Sequence, residues 1–161
     1  MRPRSTLLLF SGVPVALLAL AACASGTSTT SPEPATSGAA TGAIPVTLQE
    51  WAIIPESDTT AAGEVTFQVT NSGPEDLHEF VVLRTDLDPG ARPTDEAGTV
   101  SEEGEGIEVV DEIEDIPVGE TQELTVPLTA GKYVLLCNIY DDTEKEAHYT
   151  MGMRLGFTVT E

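Results

Sequence analysis

Residues 131–153 read GKYVLLCNIYDDTEKEAHYTMGM, a segment that joins a short apolar run to most of the side chains that could bind a soft metal. The run GKYVLL follows a turn and is typical of a buried β-strand. Cys137 follows the run directly, and His148 and Met153 come later in the segment. The other histidine of the chain, His78, lies upstream in NSGPEDLHEFVVL, at the start of a second apolar run. We expect these four side chains to meet at one end of a sheet.

The rest of the chain from residue 44 onward has the pattern of a β-protein. Short apolar or alternating runs are separated by Gly, Pro and Asn, and they cover residues 46–48, 65–70, 77–83, 124–128, 133–138 and 155–159. No stretch of helical length has apolar residues at the spacing i, i+3, i+4, i+7. This pattern predicts an all-β protein, a Greek-key β-sandwich that occupies residues 44–161.

Residues 84–115 are the least regular part of the predicted domain and are rich in acidic side chains. The composition is typical of a solvated loop, in which residues 107–110 form one short predicted strand. The spacing of the carboxylates does not match an EF-hand loop, so we predict no calcium site.

The first 43 residues have the pattern of an export and tethering segment. Residues 1–22 combine early basic residues, a short apolar run and small residues, which is typical of a signal peptide. The sequence LAAC that ends at Cys23 resembles the lipobox of bacterial lipoproteins, in which the cysteine is lipidated and anchors the protein to a membrane. An ordinary secretory signal is the alternative. Residues 23–43 contain that cysteine and a stretch of Ser, Thr, Pro and Ala, which predicts a flexible linker.

Charge and cysteine content restrict the possible partners and cofactors. The chain has 27 acidic residues against 7 basic ones, a formal net charge of -20. A surface this acidic repels nucleic acid and attracts basic partners, at rates that salt lowers. If Cys23 is lipidated, Cys137 is the one thiol left, so the mature chain cannot form an internal disulfide. An unpaired thiol in an exported protein is explained by burial, by an intermolecular bridge or by a metal.

His78, Cys137, His148 and Met153 together offer two imidazoles, a thiolate and a thioether. These soft or borderline donors suit copper or zinc better than magnesium or calcium. Two His, one Cys and a weakly bound Met form the ligand set of blue-copper electron-transfer centres, whereas zinc sites make little use of a thioether. Each residue alone has a plainer interpretation, as a core residue or as a histidine satisfied by hydrogen bonds. Their joint occurrence favours a site for one copper ion.

In these residues the sequence resembles the plastocyanin-like cupredoxins, a family of small blue-copper proteins. The segment NSGPEDLHEFVV is similar to the turn and strand around the family's first histidine ligand, and GKYVLLC is similar to its cysteine strand. His148 and Met153 have the His-x4-Met spacing of the last two ligands. The resemblance covers about residues 46–159 and implies a cupredoxin-like sandwich with one type 1 copper. Cys137 would then carry most of the electronic coupling, His78 and His148 would complete a trigonal plane, and Met153 would tune the potential.

The spacing of the C-terminal ligands departs from that family pattern. Residues 138–147 separate Cys137 from His148, where family members commonly have far fewer. A longer loop costs little closure entropy, so both ligands can still meet at one ion. The loop either loosens the site or forms an acidic docking rim beside His148. The resemblance also implies that one edge of the His148 ring faces solvent and that electrons enter and leave the site through that edge. Met151, which would share strand parity with Met153 in an extended chain, is a second axial candidate, and Asn138 is expected to steady the loop by hydrogen bonding.

The sequence therefore predicts a copper-binding protein that carries single electrons between redox proteins outside the cytoplasm. The lipid on Cys23 would hold it at the cell surface or in the periplasm, and its donor and acceptor would have basic docking surfaces. Two alternatives stay open: a copper-carrying or copper-buffering lipoprotein, and a cupredoxin-like interaction domain without metal. An enzyme is not expected, because copper oxidases and nitrite reductases need further histidines and this chain has two.

Overall fold

The structure, a computed structural model, describes residues 42–161. The predicted signal peptide (residues 1–22), the predicted lipidation site Cys23 and all but the last two residues of the predicted linker lie outside this part. Within it, no helix has both the length and the apolar character needed to span a membrane. The described elements are β1 (Ile44–Gln49), β2 (Ala52–Pro55), β3 (Thr59–Ala61), β4 (Gly63–Asn71), β5 (His78–Arg84), β6 (Glu108–Ile116), β7 (Thr121–Leu128), β8 (Gly131–Leu136), β9 (Tyr140–Asp141), β10 (Glu146–Ala147), α1 (His148–Met151) and β11 (Arg154–Thr160).

Nine of the described strands form two sheets, and the other two pair with each other. The four-stranded sheet has the order β2-β1-β4-β7, in which β1 and β4 are parallel and the other neighbours antiparallel. The five-stranded sheet has the order β3-β11-β8-β5-β6, in which β3 and β11 are parallel and the other neighbours antiparallel. The chain crosses between the sheets from β2 to β3, from β3 to β4, from β4 to β5, from β6 to β7 and from β7 to β8. Such crossings are typical of Greek-key sandwiches.

The main core lies between the two sheets and is centred on aromatic side chains. The ring of Phe67 in β4 lies 5.3 Å from the ring of Phe80 in β5 and 5.5 Å from the ring of Phe157 in β11. Buried and solvent-facing residues alternate along β4 and β7, as the sequence pattern predicts. Burial of each large apolar side chain favours folding by about 1.5–3 kcal/mol. The predicted all-β sandwich is confirmed.

Strands β5 and β8 are buried on both faces, unlike the strands of the four-stranded sheet. One face of each belongs to the core between the sheets. The residues on the other face form a second apolar cluster beneath the segment that connects β5 to β6, and they are Val81, Leu83, Val134 and Leu136 together with Val100 and Tyr149. A strand that is covered on both sides can be apolar at every position. This explains why FVVL and YVLL are continuous apolar runs.

Strand β6 is longer than the sequence predicts. The predicted strand covers residues 107–110, whereas β6 continues through the acidic run to Ile116. The strand lies at the edge of its sheet, and its pairing with β5 contains two register irregularities, so its burial does not follow a clean period of two. Ile113 and Ile116 are buried, while most of the acidic side chains face solvent. Charges on an edge strand oppose pairing with another chain.

Candidate metal centre

Two antiparallel pairings bring three of the predicted ligands to one end of the five-stranded sheet. His78 is the first residue of β5, and Cys137 directly follows β8. Because Val81 pairs with Leu136, these two strand ends lie side by side. Strand β11 runs antiparallel to β8 on its other side and begins directly after Met153. The backbone N–H of Cys137 donates to the carbonyl of Met153 at 3.1 Å.

The long loop between Cys137 and His148 is folded into a hairpin. Strands β9 and β10 pair across it, and the carboxylate of Asp141 accepts N–H bonds from two residues of the turn. The backbone N–H of His148 donates to the carbonyl of Ile139 at 2.9 Å. The hairpin accommodates the extra residues and returns the chain to Cys137, so the length of the loop does not separate the two side chains. Its acidic residues are exposed or half-buried.

The donor atoms of His78, Cys137 and His148 lie close together. The Nδ1 atoms of the two histidines are 3.2 Å apart, and Sγ of Cys137 is 3.4 Å from Nδ1 of His148. One donor atom of each residue lies within 4.8 Å of the others, and all three side chains are buried. Three donors at about 2 Å from a metal ion and spread at 120° lie roughly 3.5 Å apart. The spacing of the donor atoms therefore fits a trigonal metal site.

Met153 is wholly buried, and its backbone hydrogen-bonds two of its three candidate co-ligands, His148 and Cys137. Its N–H donates to the carbonyl of His148 at 3.0 Å, and its carbonyl accepts from Cys137. Gly152 has a φ of 136°, and a Cβ there would lie 2.9 Å from the carbonyl oxygen of Trp51. Glycine adopts such a φ without steric penalty, and a side chain has no space at this position. The turn that leads into Met153 therefore requires this glycine.

Two expectations for the C-terminal segment are wrong. Residues 148–151 form α1 instead of extended chain, and Met151 is 42% exposed whereas Met153 is buried, so the two methionines do not share one orientation. His148 does not present a solvent-facing edge, since it is 1% exposed. The half-buried indole of Trp51 packs against it, with the ring centroids 5.0 Å apart and the rings steeply inclined.

Burial keeps the three donor groups neutral in the absence of metal. It raises the pKa of the Cys137 thiol to about 12. It lowers the pKa of His78 to about 4, with the neighbouring His148 adding to the effect, and it also lowers the pKa of His148. Neutral imidazole is the form that binds a metal, and a bound metal displaces the proton of a thiol. Two neutral histidines and a displaceable thiol proton fit a metal site.

Backbone and side-chain hydrogen bonds hold Cys137 in place. The N–H of Glu79 donates to Sγ of Cys137 at 3.4 Å, and the Glu79 carboxylate accepts the N–H of Asn138 at 2.6 Å. The side chain of Asn138 in turn accepts from the N–H of Val100 and donates to the carbonyl of Val100. Asn138 therefore steadies the loop, as expected from the sequence. Burial, together with three nearby carboxylates, raises the pKa of Glu79 to about 7, although the Asn138 N–H opposes this rise.

Glu50 is a neighbour of the site that the sequence does not reveal. It lies in the turn between β1 and β2, and its Oε1 is 3.9 Å from Nε2 of His78. The same oxygen accepts the backbone N–H groups of Glu75 and Asp76 at 3.0 and 2.7 Å. Burial raises the pKa of Glu50, but these hydrogen bonds outweigh burial and the pKa is lowered overall. A lone glutamate in a turn far from His78 along the chain has no pattern that could have identified it.

Asn71 shapes the turn that delivers His78 to the site. Its side-chain amide donates to the carbonyls of Asp76 and Ile116, and its oxygen accepts the N–H of Gly73, all at 2.8 Å. Asn71 is fully buried, so these bonds replace contacts with water. Asn71 is the first residue of the segment NSGPEDLHEFVV, on which the family resemblance partly rests. Its hydrogen bonds join the end of β4 to the turn that leads into β5.

The described fold is similar to those of two solved auracyanin structures. The dithionite-reduced auracyanin from the photosynthetic bacterium Roseiflexus castenholzii matches with a TM-score of 0.53 and 20% identity, over 76% of this chain and 100% of that chain. Auracyanin B matches with a TM-score of 0.50 and 17% identity, over 74% of this chain and 88% of that chain. No protein-family model and no curated protein matches this chain. Residues 44–160 thus have the fold of the cupredoxins, the fold that the sequence resemblance implies.

Proposed function

We propose that this protein binds one copper ion through His78, Cys137, His148 and Met153 and carries single electrons between redox proteins outside the cytoplasm. The observation that carries the proposal is the cluster of three buried donor side chains with ligand atoms within 4.8 Å of one another. Copper would supply a one-electron couple there, and imidazole, thiolate and thioether suit both of its oxidation states. The auracyanin of similar fold was crystallised in a dithionite-reduced form, which agrees with a redox role.

The hydrogen bonds around the site support a carrier that changes little between oxidation states. Cys137 is held through its backbone by Met153 and through its sulfur by Glu79. His148 is held through its backbone by Ile139. Ligands fixed in this way keep their positions when an electron arrives or leaves, so the protein contributes little to the barrier for electron transfer.

The burial of the donors also separates the proposed function from its rivals. A catalytic metal site keeps a coordination position open to substrate, whereas His78, Cys137 and His148 are all closed off from solvent. Copper delivery needs partners that can reach the ligands, and Trp51 lies against His148. These observations favour an electron carrier that retains its copper over an enzyme and over a copper donor.

Surface charge supports redox partners with basic docking surfaces. The chain carries a formal net charge of -20. Glu144 in the hairpin lies close to Asp76 in the turn before His78. Repulsion between carboxylates, chiefly from Asp76, raises the pKa of Glu144. Association with a basic partner should therefore slow as ionic strength rises. The proposed location at the membrane, through a lipid on Cys23, rests on the lipobox-like sequence.

Copper loading of the purified protein tests the proposal. We expect the chelator-treated protein to take up one Cu(II), to become intensely blue, and to lose that colour in the Cys137→Ser variant. Repeated reduction and reoxidation should leave the copper bound. A colourless wild type with little copper would refute the site, and transfer of the copper to an apoprotein on each cycle would favour delivery instead.

A further inference from the structure

Glu50 and His78 face each other across a short buried gap. Oε1 of Glu50 lies 3.9 Å from Nε2 of His78, and the two side chains are 11% and 0% exposed. Within residues 42–161, Nε2 of His78 and Oε2 of Glu50 are two of the few buried side-chain polar atoms without a hydrogen-bond partner. Oε1 already accepts two backbone N–H groups, so the free acceptor of this carboxylate is Oε2, and Nε2 of His78 has no partner.

The Glu50 carboxylate is fixed in this position by the turn that carries His78. The N–H groups of Glu75 and Asp76 both donate to Oε1 of Glu50. Glu75 lies three positions before His78, and Asp76 lies two positions before it. These two hydrogen bonds therefore fix the Glu50 carboxylate and also the backbone that leads into His78. The carboxylate is thus placed before any metal is bound.

A metal at Nδ1 of His78 determines where the remaining ring proton lies. Nδ1 is the atom that faces the site, because it is 3.2 Å from Nδ1 of His148. A neutral imidazole with a metal on Nδ1 carries its proton on Nε2. A buried N–H needs an acceptor, and the carboxylate of Glu50, 3.9 Å away, has to approach by less than 1 Å to reach hydrogen-bond distance. Histidine ligands commonly donate their second N–H to a carboxylate, which fixes the ring and makes it a stronger donor.

We propose that Glu50 is a positioning residue that accepts the Nε2–H of His78 and thereby strengthens the binding of Cu(II) more than that of Cu(I). The inference rests on the proposed function, since it assigns a residue that acts on the copper site through one of its ligands. A negative charge close to the metal favours the more highly charged ion. Glu50 therefore lowers the reduction potential of the site.

The Glu50→Gln variant tests this role, and Glu75→Gln is its matched control. Glu75 lies in the same turn and loses the same charge, but its side chain is exposed. We expect Glu50→Gln to weaken Cu(II) affinity by about 10–100-fold, as is typical when such a partner is removed, and Glu75→Gln to leave it near wild type. Each tenfold loss of Cu(II) affinity relative to Cu(I) should raise the potential by about 59 mV.

A second readout follows the proton itself. In the Cu(I) form, nuclear magnetic resonance of the ¹⁵N-labelled ring should show the Nε2–H of His78 shifted in Glu50→Gln and unchanged in Glu75→Gln. Glu50→Asp keeps the charge but withdraws it by one methylene, so it should fall between wild type and Glu50→Gln in potential. It also carries the test if Glu50→Gln does not fold.

The outcomes separate this inference from the proposed function. If wild type binds copper and both Glu50 variants match Glu75→Gln in affinity, potential and proton shift, the role of Glu50 is refuted and the copper site stands. If wild type takes up no copper, the proposed function and the role of Glu50 both fail.

Discussion

Replacement of Gly152 by alanine should damage both the fold and the metal site. The φ of 136° at Gly152 is a conformation that side chains rarely adopt, and a strained position of this kind costs about 1–3 kcal/mol. The new Cβ would also lie 2.9 Å from the carbonyl oxygen of Trp51, which is backbone and has to move. Overpacking of this kind adds about 1–3 kcal/mol. We therefore expect Gly152→Ala to lower the free energy of unfolding by roughly 2–6 kcal/mol.

Gly106→Ala is the control for this measurement. Gly106 also has a positive φ, 79°, but no atom lies within 4 Å of a Cβ built there. It should show the conformational strain alone, about 1–3 kcal/mol. Urea unfolding of the metal-free proteins measures the difference, and copper titration should show weaker binding in Gly152→Ala because the altered turn joins His148 to Met153. Equal stability of the two variants, with equal copper affinity, would refute the steric argument.

Three further predictions concern the cover of the site, its protonation and the core. Trp51→Ala should lower the free energy of unfolding by about 1.5–3 kcal/mol and speed the loss of copper to a chelator. Trp51→Phe should stay near wild type in both properties. Equal rates of copper loss in the two variants would contradict a covering role for Trp51. In the metal-free protein, Glu79 should add stability as pH falls from 7 to 4.5, because its folded pKa of about 7 exceeds the ordinary 4.5. His78 should reduce stability as pH falls from 6.5 to 4, because its folded pKa of about 4 lies below the ordinary 6.5. Glu79→Gln removes the gain, so its stability should fall more steeply with acid than that of wild type; parallel curves would exclude this account. Phe67→Ala should lower the free energy of unfolding by about 3–5 kcal/mol in chemical denaturation, and a loss below 1 kcal/mol would mean that Phe67 is not central to the core.

The main features of the fold were predictable because the sequence patterns are local and regular. Alternation in β4 and β7 reflects burial on one face, and the continuous runs in β5 and β8 reflect burial on two. The candidate ligands were also predictable from the sequence, because the chain has two histidines and one cysteine besides Cys23 at the predicted lipidation site. A donor set this small leaves few ways to build a soft-metal site.

The surroundings of the site were not predictable, because they depend on contacts between distant parts of the chain. Trp51 and Glu50 come from the turn after β1 and contact His148 and His78 only in the folded sandwich. Helix α1 is too short to show a helical period. The extent of β6 was missed because an edge strand with register irregularities shows no regular alternation.

Diffraction from crystals of the copper-loaded protein, recorded on both sides of the copper absorption edge, would locate the metal. We expect a single anomalous peak among Nδ1 of His78, Nδ1 of His148, Sγ of Cys137 and the sulfur of Met153. A peak bound instead by surface carboxylates, with no metal near Sγ of Cys137, would contradict the proposed site.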